Sequence, residues 1–212
     1  MKKAVLFDLD GTLIDSAPDL AASLNYALSS LGLPTYDLQT IRGWIGGGAT
    51  LLLQRGLTGQ MEPSGVDPKL FEKAKELFFA HYRANLCNQT KAYPYAKEIL
   101  EYLRPRYALA LVTNKPYAFV PPILRKLGLE HFDLVLGGDS LEEKKPSPKP
   151  LLHVCERFEI TPKEALMVGD SINDYLAAKA AGMDMVLVEH GYETQELKAP
   201  RIASLAKLKE IV

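Results

Sequence analysis

Two aspartates one residue apart, in Phe7-Asp8-Leu9-Asp10-Gly11-Thr12, follow directly on the first apolar run of the chain, Ala4-Val5-Leu6-Phe7. Ligands of open α/β sheets bind beyond the carboxyl ends of strands, so an apolar strand that stops at two acids, a glycine and a threonine reads as the edge of an active site. A second polar strand end, Leu111-Val112-Thr113-Asn114-Lys115, brings out a hydroxyl, an amide and backbone donors, groups that hold phosphoryl oxygens well. Between Lys144 and Pro150 a proline-stiffened loop mounts Lys145 in a Lys-Pro-x-Pro setting, and a compact cation on a restricted backbone suits a dianionic phosphate. Its neighbours Lys144 and Lys149 are expected to be surface charges. Val168-Gly169-Asp170-Ser171-Ile172-Asn173-Asp174 closes a further apolar run and sets Asp170 and Asp174 one helical turn apart. A D-x-D-G-T string arises by chance in a chain of this length roughly 0.2% of the time and a G-D-x-x-x-D string roughly 4%. Their ordered occurrence at strand ends is therefore a signal.

These residues need a scaffold that delivers them to one edge. Five β-rich runs are present, Lys3 to Asp8, Tyr107 to Thr113, Phe132 to Leu136, Ala165 to Gly169 and Met185 to Val188. All but the first two are separated by helix-like sequence, the pattern of a parallel sheet with helices on both faces. The fold class is thus α/β, a Rossmann-like parallel sheet of five or more strands. From Asp15 to about Gln89 only helical periodicity appears, in Leu20, Leu24, Leu28 and Leu31 and again in Leu70, Ala74, Leu77 and Phe78. Pro18 lies in the first turn of the former helix and Gly32-Leu33-Pro34 ends it, while Asp67-Pro68 supplies an N-cap and first-turn proline for the latter. Residues 16–89 are expected to form a helical cap over the first strand's end, with residues 1–15 and 90–212 forming the core. Asp15 to Ala17 and Asn88 to Ala92 are the expected hinges. Pro121-Pro122 should delay or kink the helix after the second strand.

The 212 residues, 47% of them hydrophobic, suffice for a sizeable core. With 25 basic and 26 acidic residues, no global field favours nucleic acid or an anionic membrane. Cys87 and Cys155 have no paired spacing, which fits a reducing compartment and small buried or half-buried thiols. No apolar run approaches the roughly 18 residues that span a bilayer, and Met-Lys-Lys leads straight into a strand, so a cytoplasmic protein is expected. The expected partner is a small phosphorylated metabolite, with a monomer or homodimer as the assembly. His81, His131, His153 and His190 show no ligand spacing and are read as structural or exposed.

The four strand-end motifs, Asp8-Leu9-Asp10-Gly11-Thr12, Thr113, Lys145 and Gly169-Asp170 with Asp174, resemble those of the haloacid dehalogenase superfamily of phosphotransferases. Thr12 to Ala17, Trp44 to Ala49, Leu111 to Pro116, Gly137-Gly138-Asp139 and Asp174 to Gly182 are similar to the phosphoglycolate phosphatase family over nearly the whole chain. The resemblance implies a Rossmann-like core, an α-helical cap inserted after the first strand, and Mg2+. It further implies an aspartyl-phosphate mechanism in which Asp8 attacks phosphorus and Asp10 protonates the leaving alkoxide, then deprotonates the attacking water. Three clustered aspartates would repel one another and the phosphate without a hard cation, and magnesium's oxygen shell suits Asp8, Asp170 and a backbone carbonyl, which in the family belongs to Asp10. Lys145 would balance charge, Thr113 and Asn114 would hold phosphoryl oxygens, and Asp174 would support metal-bound water or orient Lys145.

Plainer readings stand beside these. Taken alone, Asp10-Gly11-Thr12 can be read as only a turn, Thr113-Asn114 as a helix cap and Asp174 as a solvated helix carboxylate. Gly43 to Thr50 nearly spells a nucleotide loop, but it lacks the lysine and no strand precedes it. It is either a turn between cap helices or a loop that selects substrate through Gly46 and Gly47. The carboxylate of phosphoglycolate needs a cation or donor cluster, for which Arg42, Arg55 and Arg83 are the cap candidates. Other capped phosphatases of the superfamily, acting on sugar phosphates, nucleotides or pyrophosphate, and phosphoglucomutase-like enzymes are the alternatives. A dehalogenase would not need Asp10 or the phosphate donors. A receiver-type signalling domain also uses a phosphorylatable aspartate, Thr and Lys, but a cap excludes partner proteins and Asp10 promotes turnover.

Overall fold

The computed structural model describes residues 1–192 and 196–212. In chain order the elements are β1 (Ala4–Phe7), β2 (Ile14–Asp15), α1 (Ala17–Ser30), α2 (Leu38–Arg42), α3 (Ala49–Thr58), α4 (Pro68–Ala84), β3 (Lys91–Ala92), α5 (Ala96–Leu103), β4 (Ala108–Val112), α6 (Val120–Leu127), β5 (Leu134–Leu136), α7 (Lys149–Arg157), β6 (Ala165–Gly169), α8 (Ile172–Ala181), β7 (Asp184–Val188) and β8 (Arg201–Ile202). Six strands form one parallel sheet in the order β5-β4-β1-β6-β7-β8. The central strand β1 is continuously apolar because both of its faces are covered, and Val5 lies between Leu109 and Leu166 in the ladder. The chain runs from β1 outward through β4 to β5 and then returns to β6 on the other side. This reversal puts the carboxyl ends of β1, β4 and β6 around one crevice.

Beyond the five β-rich runs, the sheet of five or more strands gains a sixth, β8. β8 is a two-residue edge strand, too short to carry a period. Four helices stand between β2 and β3, and the two crossings into and out of them are tied by an antiparallel pair, Ile14 with Ala92 and Asp15 with Lys91. The Asp19 carboxylate, buried in the first turn of α1, accepts hydrogen bonds from the backbone N–H of Gln89 and Thr90 and from the Thr90 hydroxyl. The two crossings are therefore bound to each other. Pro18 and Pro68 occupy first turns, where the missing N–H costs nothing, and the Asp67 carboxylate caps α4 through Lys69 N–H. Pro121 and Pro122 delay helix α6: a 3-10 turn over Tyr117–Phe119 precedes it and both prolines fall in its first turn. Leu24, Leu28, Phe78 and Tyr82 of the insert pack into the same apolar cluster as Phe7, Leu111 and Phe119. Cys87 and Cys155 are buried and unpaired. Among the described residues no helix is long and apolar enough to cross a membrane.

Candidate active site

Asp8 follows the last residue of β1, Thr113 that of β4 and Asp170 that of β6, so three parallel strands deliver three polar side chains to one edge. All three are buried, at 7%, 3% and 3% exposure. Helix α8 begins with a reciprocal cap in which the Asp174 carboxylate accepts from the backbone N–H and hydroxyl of Ser171. That cap turns Asp174 inward, where its other oxygen takes a hydrogen bond from Lys145 Nζ at 2.6 Å. The same ammonium lies 2.8 Å from Asp8 Oδ1. Carboxylate oxygens of Asp8, Asp170 and Asp174 lie within 4.8 Å of one another.

Burial, opposed by Lys145 and reinforced by Asp174, pushes the Asp8 carboxyl up to about 7. Burial followed by the charges of Asp8 and Asp174 holds Asp170 well above the carboxylate range. Burial works against the Lys145 ammonium, yet Asp174 and Asp8 outweigh it and keep its proton bound beyond the ordinary lysine value. One lysine among three carboxylates leaves the cluster short of positive charge, and every donor atom is a hard oxygen. Such a set fits Mg2+. Asp174 has its oxygens committed to Lys145, Ser171 and Asp170 N–H, which makes it a support. Asp170 is oriented by the Thr12 hydroxyl at 2.9 Å and the Tyr192 N–H at 2.8 Å. Gly11, at φ 89°, passes so close that a Cβ there would stand 2.2 Å from Asp170 Oδ2.

Asp10 faces the crevice from the other side. Lys115 Nζ lies 2.8 and 3.0 Å from its two oxygens, and the Ser16 hydroxyl donates to it. Neither Lys115 nor Ser16 figured among the expected site residues. The only sequence signal for Lys115 was its place two residues beyond Thr113. Asn114 is at the site, but its amide donates to the carbonyls of Gly46 and Lys145, at 3.0 and 2.8 Å, and so ties loops together.

Between this edge and the helical insert lies a narrow, partly open cleft. Its floor includes Asp8, Asp10, Thr113 and Lys115, and its roof includes Ile45, Leu52, Phe78 and Phe79. Gly46 and Gly48 also line it. Gly48 has φ 87°, and a Cβ there would meet the Asn114 carbonyl at 2.9 Å. The Gly46 carbonyl accepts from Asn114 and Asn173, and the Gly47 carbonyl from Lys144, which is exposed yet reaches the insert.

None of the three arginines lines the cleft. Arg42 pairs with Asp15 in the hinge at 3.0 Å, drawn there by a carboxylate. Arg55 is buried against the carbonyls of Trp44 and Met61, both 2.8 Å away. Arg83 is exposed, with its guanidinium 5.9 Å from the Phe119 ring centroid.

Residues 5–188 match the sequence family described as haloacid dehalogenase-like hydrolase. A phosphoglycolate phosphatase of Nitrosospira multiformis is 48% identical over 192 residues, covering 90% of this chain and 84% of that protein. One of Psychrobacter arcticus is 47% identical, covering 90% and 85%. A crystal structure of a predicted phosphoglycolate phosphatase from Haemophilus somnus superposes with a TM-score of 0.92 at 41% identity, over 99% of this chain and 97% of that one.

Proposed function

The chain belongs to the haloacid dehalogenase-like hydrolase family and is an enzyme, and from that premise we propose that it hydrolyses 2-phosphoglycolate to glycolate and phosphate with Mg2+. The observation that carries the reading is the Lys145 ammonium shared between Asp174 and Asp8, the latter lining the floor of the cleft. It leaves Asp8 oriented toward the space where a phosphoryl group would sit, with residues 16–89 acting as a cap that excludes water.

Asp8 attacks phosphorus and forms an aspartyl phosphate as the bond to the leaving oxygen breaks. Asp10 gives that oxygen a proton and then takes one from the water that attacks the phosphoenzyme, regenerating Asp8 and releasing phosphate. Thr113 and the backbone donors behind it bind phosphoryl oxygens, and Lys145 offsets charge as it develops. Asp8, Asp170 and the Asp10 carbonyl would hold Mg2+, which when bound neutralises the carboxylates and the phosphoryl group. Asp174 fixes Lys145, while Thr12 and Tyr192 fix Asp170. A cleft that the insert closes favours turnover of a small molecule over phosphoryl exchange with a partner protein.

The test is a phosphate-release assay of the purified chain with Mg2+ over a panel of 2-phosphoglycolate, sugar phosphates, nucleotides and pyrophosphate. The expected result is the highest kcat/KM on 2-phosphoglycolate. Preference for a sugar phosphate, a nucleotide or pyrophosphate would overturn the substrate.

A further inference from the structure

The roof of the cleft is apolar, so the acid of an acidic substrate must be received somewhere else. Among the described residues that line the cleft, Lys115 is the one basic side chain. Its ammonium is buried and touches both oxygens of Asp10, and it lies 5.3 Å from the centroid of the Tyr82 ring. Tyr82 comes from α4 of the insert, lines the same cleft and is 2% exposed. Its hydroxyl is buried and makes no short hydrogen bond, and its polar neighbour in the cleft is the Lys115 ammonium, near enough to act on it. A buried hydroxyl without a short hydrogen bond is costly, and such groups are characteristically completed by a ligand or water.

We propose that Lys115 and Tyr82 together receive the carboxylate of a short α-oxyacid leaving group, so that acid selectivity is set by one core residue and one insert residue beside Asp10. The inference rests on the proposed reaction, because it takes Asp10 as the group that meets the leaving oxygen. In a phosphorylated two-carbon acid the carboxylate carbon is two bonds from that oxygen. The acid therefore falls next to Asp10's own ion-pair partner. An ammonium has three N–H groups, and Lys115 directs two contacts at Asp10, so the third lies toward Tyr82, where a carboxylate would be shared by the ammonium and the hydroxyl. The Tyr82 hydroxyl supplies a neutral donor beside that ammonium. A longer or branched leaving group would run into Phe78, Phe79 and Leu52.

The experiment compares 2-phosphoglycolate with ethyl phosphate, in which a methyl group replaces the carboxylate, for the parent enzyme, Tyr82→Phe and Lys115→Met. Tyr82→Phe should lose about tenfold in kcat/KM on 2-phosphoglycolate and less than twofold on ethyl phosphate. Its thermal midpoint without substrate should stay close to the parent's, since the deleted hydroxyl makes no short hydrogen bond. Lys115→Met should lose at least tenfold more on 2-phosphoglycolate than on ethyl phosphate. Equal losses on the two substrates in Tyr82→Phe overturn the proposal, whether or not Lys115→Met folds. As a second measurement, the inhibition constant of glycolate should rise in Tyr82→Phe while that of inorganic phosphate stays put, and a parallel rise in both also overturns it. A parent enzyme that does not distinguish the two substrates instead removes 2-phosphoglycolate as the substrate.

Discussion

The floor and the roof of the cleft are built in opposite ways. On the floor, Asp8, Lys145, Asp174, Asp170 and Thr12 form one continuous buried network. On the roof, Phe78, Phe79 and Leu52 present apolar surface, and Phe79 stacks on Phe119 of the core at 5.5 Å between ring centroids. Two amides and one lysine of the core hold the roof's glycine loop by the carbonyls of Gly46 and Gly47. The floor thus keeps charges fixed before substrate arrives, which is where electrostatic catalysis gains most, and the roof sets apolar side chains over them. Changes to the floor should act on the chemical step, and changes to the roof's attachment should act on binding.

The strongest test of that division is Asp8→Asn. It should lower kcat by at least about 10^4-fold, because Asp8 is the proposed nucleophile and an amide cannot take its place. The fold should survive without metal, since the change removes a carboxyl that burial already disfavours in its charged form. Asp10→Asn should cost about 10^2- to 10^4-fold and slow both halves of the reaction. Steady-state and single-turnover phosphate release, with a thermal melt of each variant, check both. Turnover within tenfold of the parent in either variant would remove that residue from its role.

A smaller effect tests the charge deficit of the floor. Asp8 titrates near 7 in the folded, metal-free chain and near 3.9 when unfolded. Between these values the folded chain keeps a proton that the unfolded chain has released, so stability falls as pH rises through this window and the loss is complete above about pH 7. The penalty is on the order of 2–4 kcal/mol. In chelator, the thermal midpoint attributable to this site should therefore drop from pH 5.5 to pH 8. Adding Mg2+ should raise the midpoint more at pH 8 than at pH 5.5, because the cation meets carboxylates that no longer need to be deprotonated. An equal Mg2+ shift at both pH values would contradict a floor short of positive charge.

The contrast between floor and roof also explains what the sequence disclosed. Asp8, Thr113 and Asp170 each end an apolar run, so local pattern alone placed them at one sheet edge, and Lys145 stood out by its prolines. Asp174 was legible as a residue one turn beyond Asp170, and its role as a support also had a local mark in the Ser171-x-x-Asp174 spacing of a helix cap. Tyr192 had none. It reaches Asp170 through a backbone N–H and Asp15 through its hydroxyl, contacts that only the folded chain creates. The cap arginines illustrate the reverse. Their type suited a carboxylate, but Arg42 and Arg55 meet the Asp15 carboxylate and backbone carbonyls nearer at hand, and sequence does not rank such competing partners. The helices of the insert were readable from their period, whereas what the cleft-facing residues recognise depends on how those helices lie against the sheet.

The smallest predicted effect concerns the roof's attachment. Lys144 donates to the Gly47 carbonyl at 2.9 Å from an exposed position, while the adjoining Gly46 carbonyl is held by both Asn114 and Asn173. A single solvent-accessible hydrogen bond contributes about 1 kcal/mol or less, and water can replace it. Lys144→Met should therefore raise KM about two- to fivefold and leave kcat within twofold. Asn114→Ala should do more, because that amide also holds the Lys145 carbonyl at 2.8 Å and its loss reaches the floor. Kinetics of the two variants side by side separate the cases. If Lys144→Met lowers kcat as far as Asn114→Ala does, the glycine loop and the floor move as one unit, and the division between a chemical floor and a binding roof fails at their shared rim.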